Sequence, residues 1–213
     1  MPRPKRGRQL KNWKSHRVEP GEGKLRIIGG TFRGRLIDYS GDRVTRPMKD
    51  NIREALFNLV GGWVPGKAVL DLFAGTGAIG LEALSRGATR ALLIERHFPT
   101  ARIIENNVRS LGVEENAEVI ASDTFFWGRQ FTAETAARPT DPWIVFCCPP
   151  YDLFVERPDD LLDLLARLIE LAPAQSLIVV ESDQRFYPAQ LPRADQWDVR
   201  QYPPAQLAVL KLP

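Results

Sequence analysis

Ala68-Val69-Leu70-Asp71-Leu72-Phe73-Ala74-Gly75-Thr76-Gly77-Ala78-Ile79-Gly80 begins as an apolar run, breaks into glycines, and resumes as Leu81-Glu82-Ala83-Leu84 with helical periodicity. The pattern predicts strand, glycine turn, helix. Glycines at this spacing let the backbone take positive φ and come close to a ligand without a Cβ in the way. The first βα turn of an α/β sheet is therefore a candidate cofactor seat. No lysine follows at the distance a P-loop needs, which excludes that site. A dinucleotide would rest its pyrophosphate on the helix N-terminus. Asp71, four residues before the first glycine, opposes a pyrophosphate and favours a cation.

S-adenosylmethionine carries a sulfonium and an ammonium and no phosphate. About twenty residues on, Leu92-Leu93-Ile94 closes on Glu95, a carboxylate placed to accept hydrogen bonds from both ribose hydroxyls. Asp71 before the glycines and Glu95 after them favour S-adenosylmethionine over a nicotinamide cofactor. A tight turn beside a solvated glutamate is the bland alternative.

The 213 residues, 44% of them hydrophobic, suit one globular domain with a small appendage. No apolar run reaches the roughly 18 residues of a membrane span, and the N-terminus lacks the apolar stretch of a secretory signal. A soluble, cytoplasmic monomer is expected. The two cysteines, Cys147 and Cys148, are adjacent, which rules out a disulfide framework and argues against a structural metal site.

Charge is unevenly spread within the net +3. Residues 1–53 hold 15 Lys or Arg against 5 Asp or Glu, and the rest hold 14 against 21. Residues 1–22 read as a basic, flexible arm too poor in apolar side chains to fold alone. Such an arm suits a phosphate backbone, though a solvated tail has the same composition. Residues 23–44 read as a β-hairpin appendage around Gly29-Gly30, with Arg26, Arg33 and Arg35 beside Phe32 as an RNA contact or a plain edge hairpin. In the stretch from Thr45 to Val60, Ile52, Ala55, Leu56, Leu59 and Val60 share one helical face, and Gly61-Gly62 end it. Thr45, Arg46 and Pro47 precede that helix, where a loop could cover a ligand.

From Ile79 onward strands and helices alternate, with strands at Arg90–Glu95, Ala117–Ala121, Trp143–Cys147 and Leu177–Glu181. Helices are expected at Pro99–Leu111 and Pro158–Leu171, with helical or irregular chain over Phe125–Ala137. Two β segments close the chain near Trp197–Tyr202 and Gln206–Leu212. The alternation implies a mostly parallel sheet with helices on both faces and an antiparallel C-terminal pair over residues 45–213. Ligands of such sheets bind at the carboxyl ends of the strands, where Asp71, Glu95, Asp123 and Cys147-Cys148-Pro149-Pro150-Tyr151 fall. Asp123 suits either an adenine amino group or a helix N-cap. Pro149 and Pro150 stiffen their turn and hold the Tyr151 ring in a fixed direction, a slot for a flat base bearing an amino group.

These residues resemble the bacterial RsmD-like methyltransferases, which modify the exocyclic N2 of a guanine in 16S ribosomal RNA. The likeness runs from residue 25 to 182 through LRIIGGTFRGRLI, TRPMKDNIREALFNLV, VLDLFAGTGAIGLEALSRGA, LLIE, ASD and CPPYDLF. It implies the class I, Rossmann-like methyltransferase fold with seven strands, S-adenosylmethionine as cofactor and small-subunit ribosomal RNA as partner. By the same likeness Asp71, Phe73, Ala74, Gly75 and Gly77 form the cofactor loop, Glu95 the ribose ligand and Asp123 the adenine contact. Thr45, Arg46 and Pro47 form the lid, and Cys148, Pro149, Pro150 and Tyr151 the catalytic motif.

The family motif opens with Asp, Asn or Ser, and here it opens with Cys148. An exocyclic amine is a poor nucleophile because its lone pair is delocalised into the ring, and the motif's first side chain and first proline carbonyl accept its two N–H bonds. A thiol is a weak acceptor and mostly protonated at neutral pH. Three accounts stand: a slower enzyme relying on Pro149 and Tyr151, a thiol ionised by its surroundings, or a cofactor-holding RNA-binding assembly factor. Adenine N6 in DNA is the alternative amine.

Overall fold

The computed structural model describes residues 23–41, 47–132 and 141–213. The basic arm, Thr45 and Arg46 lie outside the described residues. Strands β1 (Gly23–Arg26) and β2 (Leu36–Tyr39) form an antiparallel hairpin, and helix α1 (Asp50–Val60) follows. The chain then alternates through β3 (Ala68–Asp71), α2 (Ala78–Ser85), β4 (Arg90–Glu95), α3 (Phe98–Leu111), β5 (Ala117–Ala121), α4 (Thr124–Gln130) and β6 (Trp143–Cys147). It ends with α5 (Leu153–Glu156), α6 (Pro158–Leu171), β7 (Leu177–Asp183), β8 (Trp197–Tyr202) and β9 (Ala205–Lys211). The short α5 and the continuation of β7 to Asp183 carry no sequence signal used above.

The seven-stranded sheet runs β5-β4-β3-β6-β7-β9-β8. All pairs are parallel except β7 with β9 and β8 with β9. Strand order reverses between β3 and β6, the switch point where open α/β sheets bind ligands. Alternating side chains feed two cores. On one face Val69, Leu93, Phe146 and Val179 meet Leu56 of α1, Leu81 of α2 and Ile104 of α3. On the other Leu70, Ile94, Val145 and Val180 meet Phe125 of α4 and Leu165 of α6. In α6, Leu161, Leu164, Leu165, Leu168 and Ile169 are buried at helical spacing, each stabilising by about 1.5–3 kcal/mol at most.

The hairpin is bolted to α2 by Glu82, a wholly buried carboxylate. Its two oxygens accept the backbone N–H groups of Ile28 and Gly29, each at 2.7 Å, and one also accepts Arg86 Nε at 2.9 Å. The loop lies so close that a Cβ on Gly30, at φ +75°, would stand 1.9 Å from the Ser85 carbonyl oxygen. Phe32 is half-buried and packs on the core. The Asp-x-x-Arg spacing of α1 is explained likewise. Arg53 is wholly buried and donates to the Arg26 carbonyl at 2.8 Å and to Asp50 Oδ1 at 3.0 Å. Glu82→Ala strands the half-buried Ile28 and Gly29 N–H groups and the Arg86 Nε donor, and is expected to lower unfolding free energy by about 2–4 kcal/mol. Denaturant titration measures this, and a change below about 0.5 kcal/mol contradicts it.

Candidate active site

Register brings the carboxyl ends of β4, β3, β6 and β7 into a row. Asp71 pairs with Leu93 on one side and Phe146 on the other, and Cys147 pairs with Val180. Glu95 and Cys148 each come two residues after Asp71's partners. Period-two alternation then puts Asp71, Glu95, Cys148 and Glu181 on the sheet face covered by α1, α2 and α3. Sequence reasoning singled out the first three. Glu181 was missed, although the same signal marks it, a carboxylate closing the apolar run Leu177–Val180.

The glycine bend is held by those carboxylates. Asp71 is fully buried, and its Oδ2 accepts the Gly80 N–H at 3.0 Å. A Cβ on Gly80 would sit 2.8 Å from Leu93 Cδ2, so glycine there lets helix and strand close on each other. Gly75 and Gly77 have φ of 51° and 75°, and a Cβ on Gly77 would press on Ile104 at 2.9 Å. Glu95 Oε2 accepts the Gly75 N–H at 2.9 Å, and its Oε1 accepts the His97 N–H at 2.7 Å. Ala74 N–H bonds the Ile94 carbonyl at 2.9 Å, and the Phe73 ring packs edge-on to Phe125 at 6.0 Å.

Asp71 Oδ1 is buried and has no hydrogen-bond partner among the described residues. Burial raises the Asp71 carboxyl to about 7, the Gly80 N–H opposing this and the Glu95 charge adding to it. A buried carboxyl oxygen with no partner among the described residues, beside backbone that a Cβ would obstruct, fits a cationic ligand that would draw it into its ionised form, and not a pyrophosphate.

Cys148, Pro149, Pro150 and Tyr151 follow β6 directly. The Pro150 carbonyl accepts the Leu153 N–H at 3.0 Å, closing the turn into α5, whereas the Pro149 carbonyl makes no hydrogen bond among the described residues. Tyr151 Oη donates to Glu181 Oε1 at 2.6 Å. Burial pushes the Cys148 thiol well above its ordinary value, and the Glu181 and Asp71 carboxylates push the same way. Both influences oppose ionisation of the thiol.

The remaining residues are placed less centrally. Asp123 is the N-cap of α4, its Oδ1 accepting the Phe126 N–H at 2.9 Å, with Oδ2 4.0 Å from Arg157 Nη1. Arg157 lies over the Phe125 ring at 4.1 Å, a cation near this edge that the sequence did not flag. Arg26 and Arg33 are exposed, and Arg35 is tied to the Ser110 carbonyl. Pro47 begins the described chain before α1. A hollow of about 390 Å³ against Ala68, Arg90, Ala117 and Trp143 lies at the opposite strand ends, a strand's length from these residues.

The profile of the family described as Conserved hypothetical protein 95 matches residues 25–211. The chain belongs to that family, the RsmD methyltransferases. It is 36% identical over 164 residues to ribosomal RNA small subunit methyltransferase D of Escherichia coli strain K12, covering 76% of this chain and 77% of the relative. The solved structure of the Escherichia coli protein yhhF, described as a methyltransferase, superposes with a TM-score of 0.70 at 30% identity, over 89% of this chain and 98% of that one. A fold neighbour is the T. thermophilus 16S rRNA N2 G1207 methyltransferase RsmC, solved with AdoMet and guanosine, at a TM-score of 0.65 and 16% identity. It covers 90% of this chain and 50% of its own. At that identity the likeness speaks for the fold. The RsmD family depends on S-adenosylmethionine, the cofactor the residues of the glycine bend fit. No helix among the described residues is long and apolar enough to cross a membrane.

Proposed function

We propose that this chain methylates the exocyclic N2 of a guanine in small-subunit ribosomal RNA. The observation that carries the reading is adjacency. The glycine bend after β3 and the Pro-Pro-Tyr turn after β6 leave neighbouring strands at the switch point, with Asp71 and Cys148 on one face. The family relationship supplies the rest, since the Escherichia coli relative is described as a small-subunit ribosomal RNA methyltransferase.

Asp71 and the backbone of Gly75 and Gly77 would hold the amino-acid end of the cofactor, and Glu95 its ribose. Asp123 would reach the adenine through the carboxylate oxygen its cap bond leaves, with Phe73 and Ala74 lining the seat and Thr45, Arg46 and Pro47 covering it. When bound, S-adenosylmethionine supplies an electrophilic methyl on a positively charged sulfur. The protein's part is to position and to accept hydrogen bonds. The Pro149 carbonyl, uncommitted among the described residues, accepts one N–H of the amine, and Tyr151 stacks on the base. The target must leave its helical stack to enter, so a loop or single-stranded nucleotide is expected. Arg26 and Arg33, with the basic arm, would follow the phosphates.

A cysteine at the first motif position, a weak hydrogen-bond acceptor, favours a second reading, a cofactor-holding RNA-binding factor in ribosome assembly. Methyl transfer from labelled cofactor decides between them. The proposal predicts label in small ribosomal subunits and none in naked DNA. Label in DNA supports the adenine-N6 reading, and no label with cofactor still bound supports the binding factor.

A further inference from the structure

Cys148 puts a thiol, a weak hydrogen-bond acceptor, at the first motif position. Glu181 stands next to it. Cys147 and Val180 are register partners, so Cys148 and Glu181 adjoin at the ends of β6 and β7 and face the same side. Glu181 is only 7% exposed, its Oε1 accepts the Tyr151 hydroxyl at 2.6 Å, and its Oε2 makes no hydrogen bond or ion pair among the described residues. A carboxylate buried to this extent, with Tyr151 its one side-chain partner among the described residues, is stabilised by a further donor that reaches it. Asp71, the other buried carboxylate in the row, already has one oxygen engaged by the Gly80 N–H at the glycine bend.

We propose that Glu181 is a catalytic residue, its carboxylate accepting an N–H of the target amine and then that proton, in the role residue 148 does not fill. This rests on the methyltransferase reading above. The amine lone pair forms the new nitrogen–carbon bond while the carbon–sulfur bond breaks with its electron pair left on sulfur. The nitrogen then carries a positive charge, one of its protons passes to the Glu181 carboxylate, and from there to solvent. Tyr151 serves the same step, because its hydroxyl orients the carboxylate while its ring orients the base. Burial raises the Glu181 carboxyl above its ordinary value, which makes it a better proton acceptor once a base has closed the slot.

Glu181→Gln tests this, since the amide oxygen still accepts the Tyr151 hydroxyl but cannot take a proton. Expected is a fall in kcat of about 100-fold for labelled-methyl transfer to small subunits. KM for the subunit, cofactor Kd by calorimetry and the thermal midpoint should stay close to wild type. Adding Cys148→Asp to Glu181→Gln should restore kcat to within several-fold of wild type. A Glu181→Gln protein with kcat within twofold of wild type overturns the inference, as does a double variant no faster than the single one. So does loss of cofactor binding or of thermal stability in Glu181→Gln, which marks a structural role. Each of these leaves the methyltransferase reading standing, whereas a wild type that transfers no methyl to RNA overturns both.

Discussion

Affinity for S-adenosylmethionine is expected to rise about tenfold per pH unit from pH 5 toward pH 7 and to level off near pH 8. The cause is Asp71, whose carboxyl is held at about 7 by burial and by the Glu95 charge in the cofactor-free protein. A cationic ligand favours the ionised form, so below that value each binding event must drive a proton off Asp71. The sign is therefore affinity increasing with pH, about 100-fold in total across the window. Calorimetry at pH 6 in buffers of different ionisation enthalpy should show close to one proton released, and none at pH 8.5. Asp71→Asn should bind weakly at every pH with a flat profile. A wild-type affinity that does not change between pH 5 and 8 would sink this account of the bend. The same shift acts oppositely on the cofactor-free fold. The folded state keeps its proton where the unfolded chain has lost it, so stability falls as pH rises from about 4 to 7.

Replacing Cys148 by aspartate is expected to raise kcat by about tenfold, with cofactor Kd unchanged. The loss of one preorganised polar partner costs 10²–10³ in comparable sites. Glu181, placed beside the thiol, offsets part of that deficit, which is why the gain falls short of it. An interaction made only with the reacting amine raises kcat and kcat/KM together. A lower rate in Cys148→Asp would mean the thiol itself takes part, and the hydrogen-bonding role given to the motif would be wrong.

The sheet was legible because its strands announce themselves. Val69 to Phe73, Arg90 to Glu95 and Trp143 to Cys147 are apolar runs bounded by turn residues, and the structure has strands at Ala68–Asp71, Arg90–Glu95 and Trp143–Cys147. Asp71 and Glu95 could be picked out because a carboxylate closing a buried strand costs solvation and needs a reason to be there. Glu181 obeys the same rule, but its partner Tyr151 is thirty residues away in sequence and meets it only through the β6–β7 pairing. Glu82 was hidden for a related reason. It sits in the apolar text of α2 and looks like a helix surface position until the hairpin, more than fifty residues earlier, folds onto it. That Phe32 packs on the core was not legible, because periodicity is lost in the loop between β1 and β2. Asp123 carried two local signals, and its side chain caps α4 while leaving one carboxylate oxygen for the other role.

The most direct measurement is the identity of the methylated nucleoside. Small ribosomal subunits lacking the modification, incubated with the protein and methyl-labelled S-adenosylmethionine, are digested to nucleosides and separated. The account predicts the label in N2-methylguanosine, abolished by Asp71→Ala. Label in any other nucleoside, or none while the cofactor binds, contradicts it.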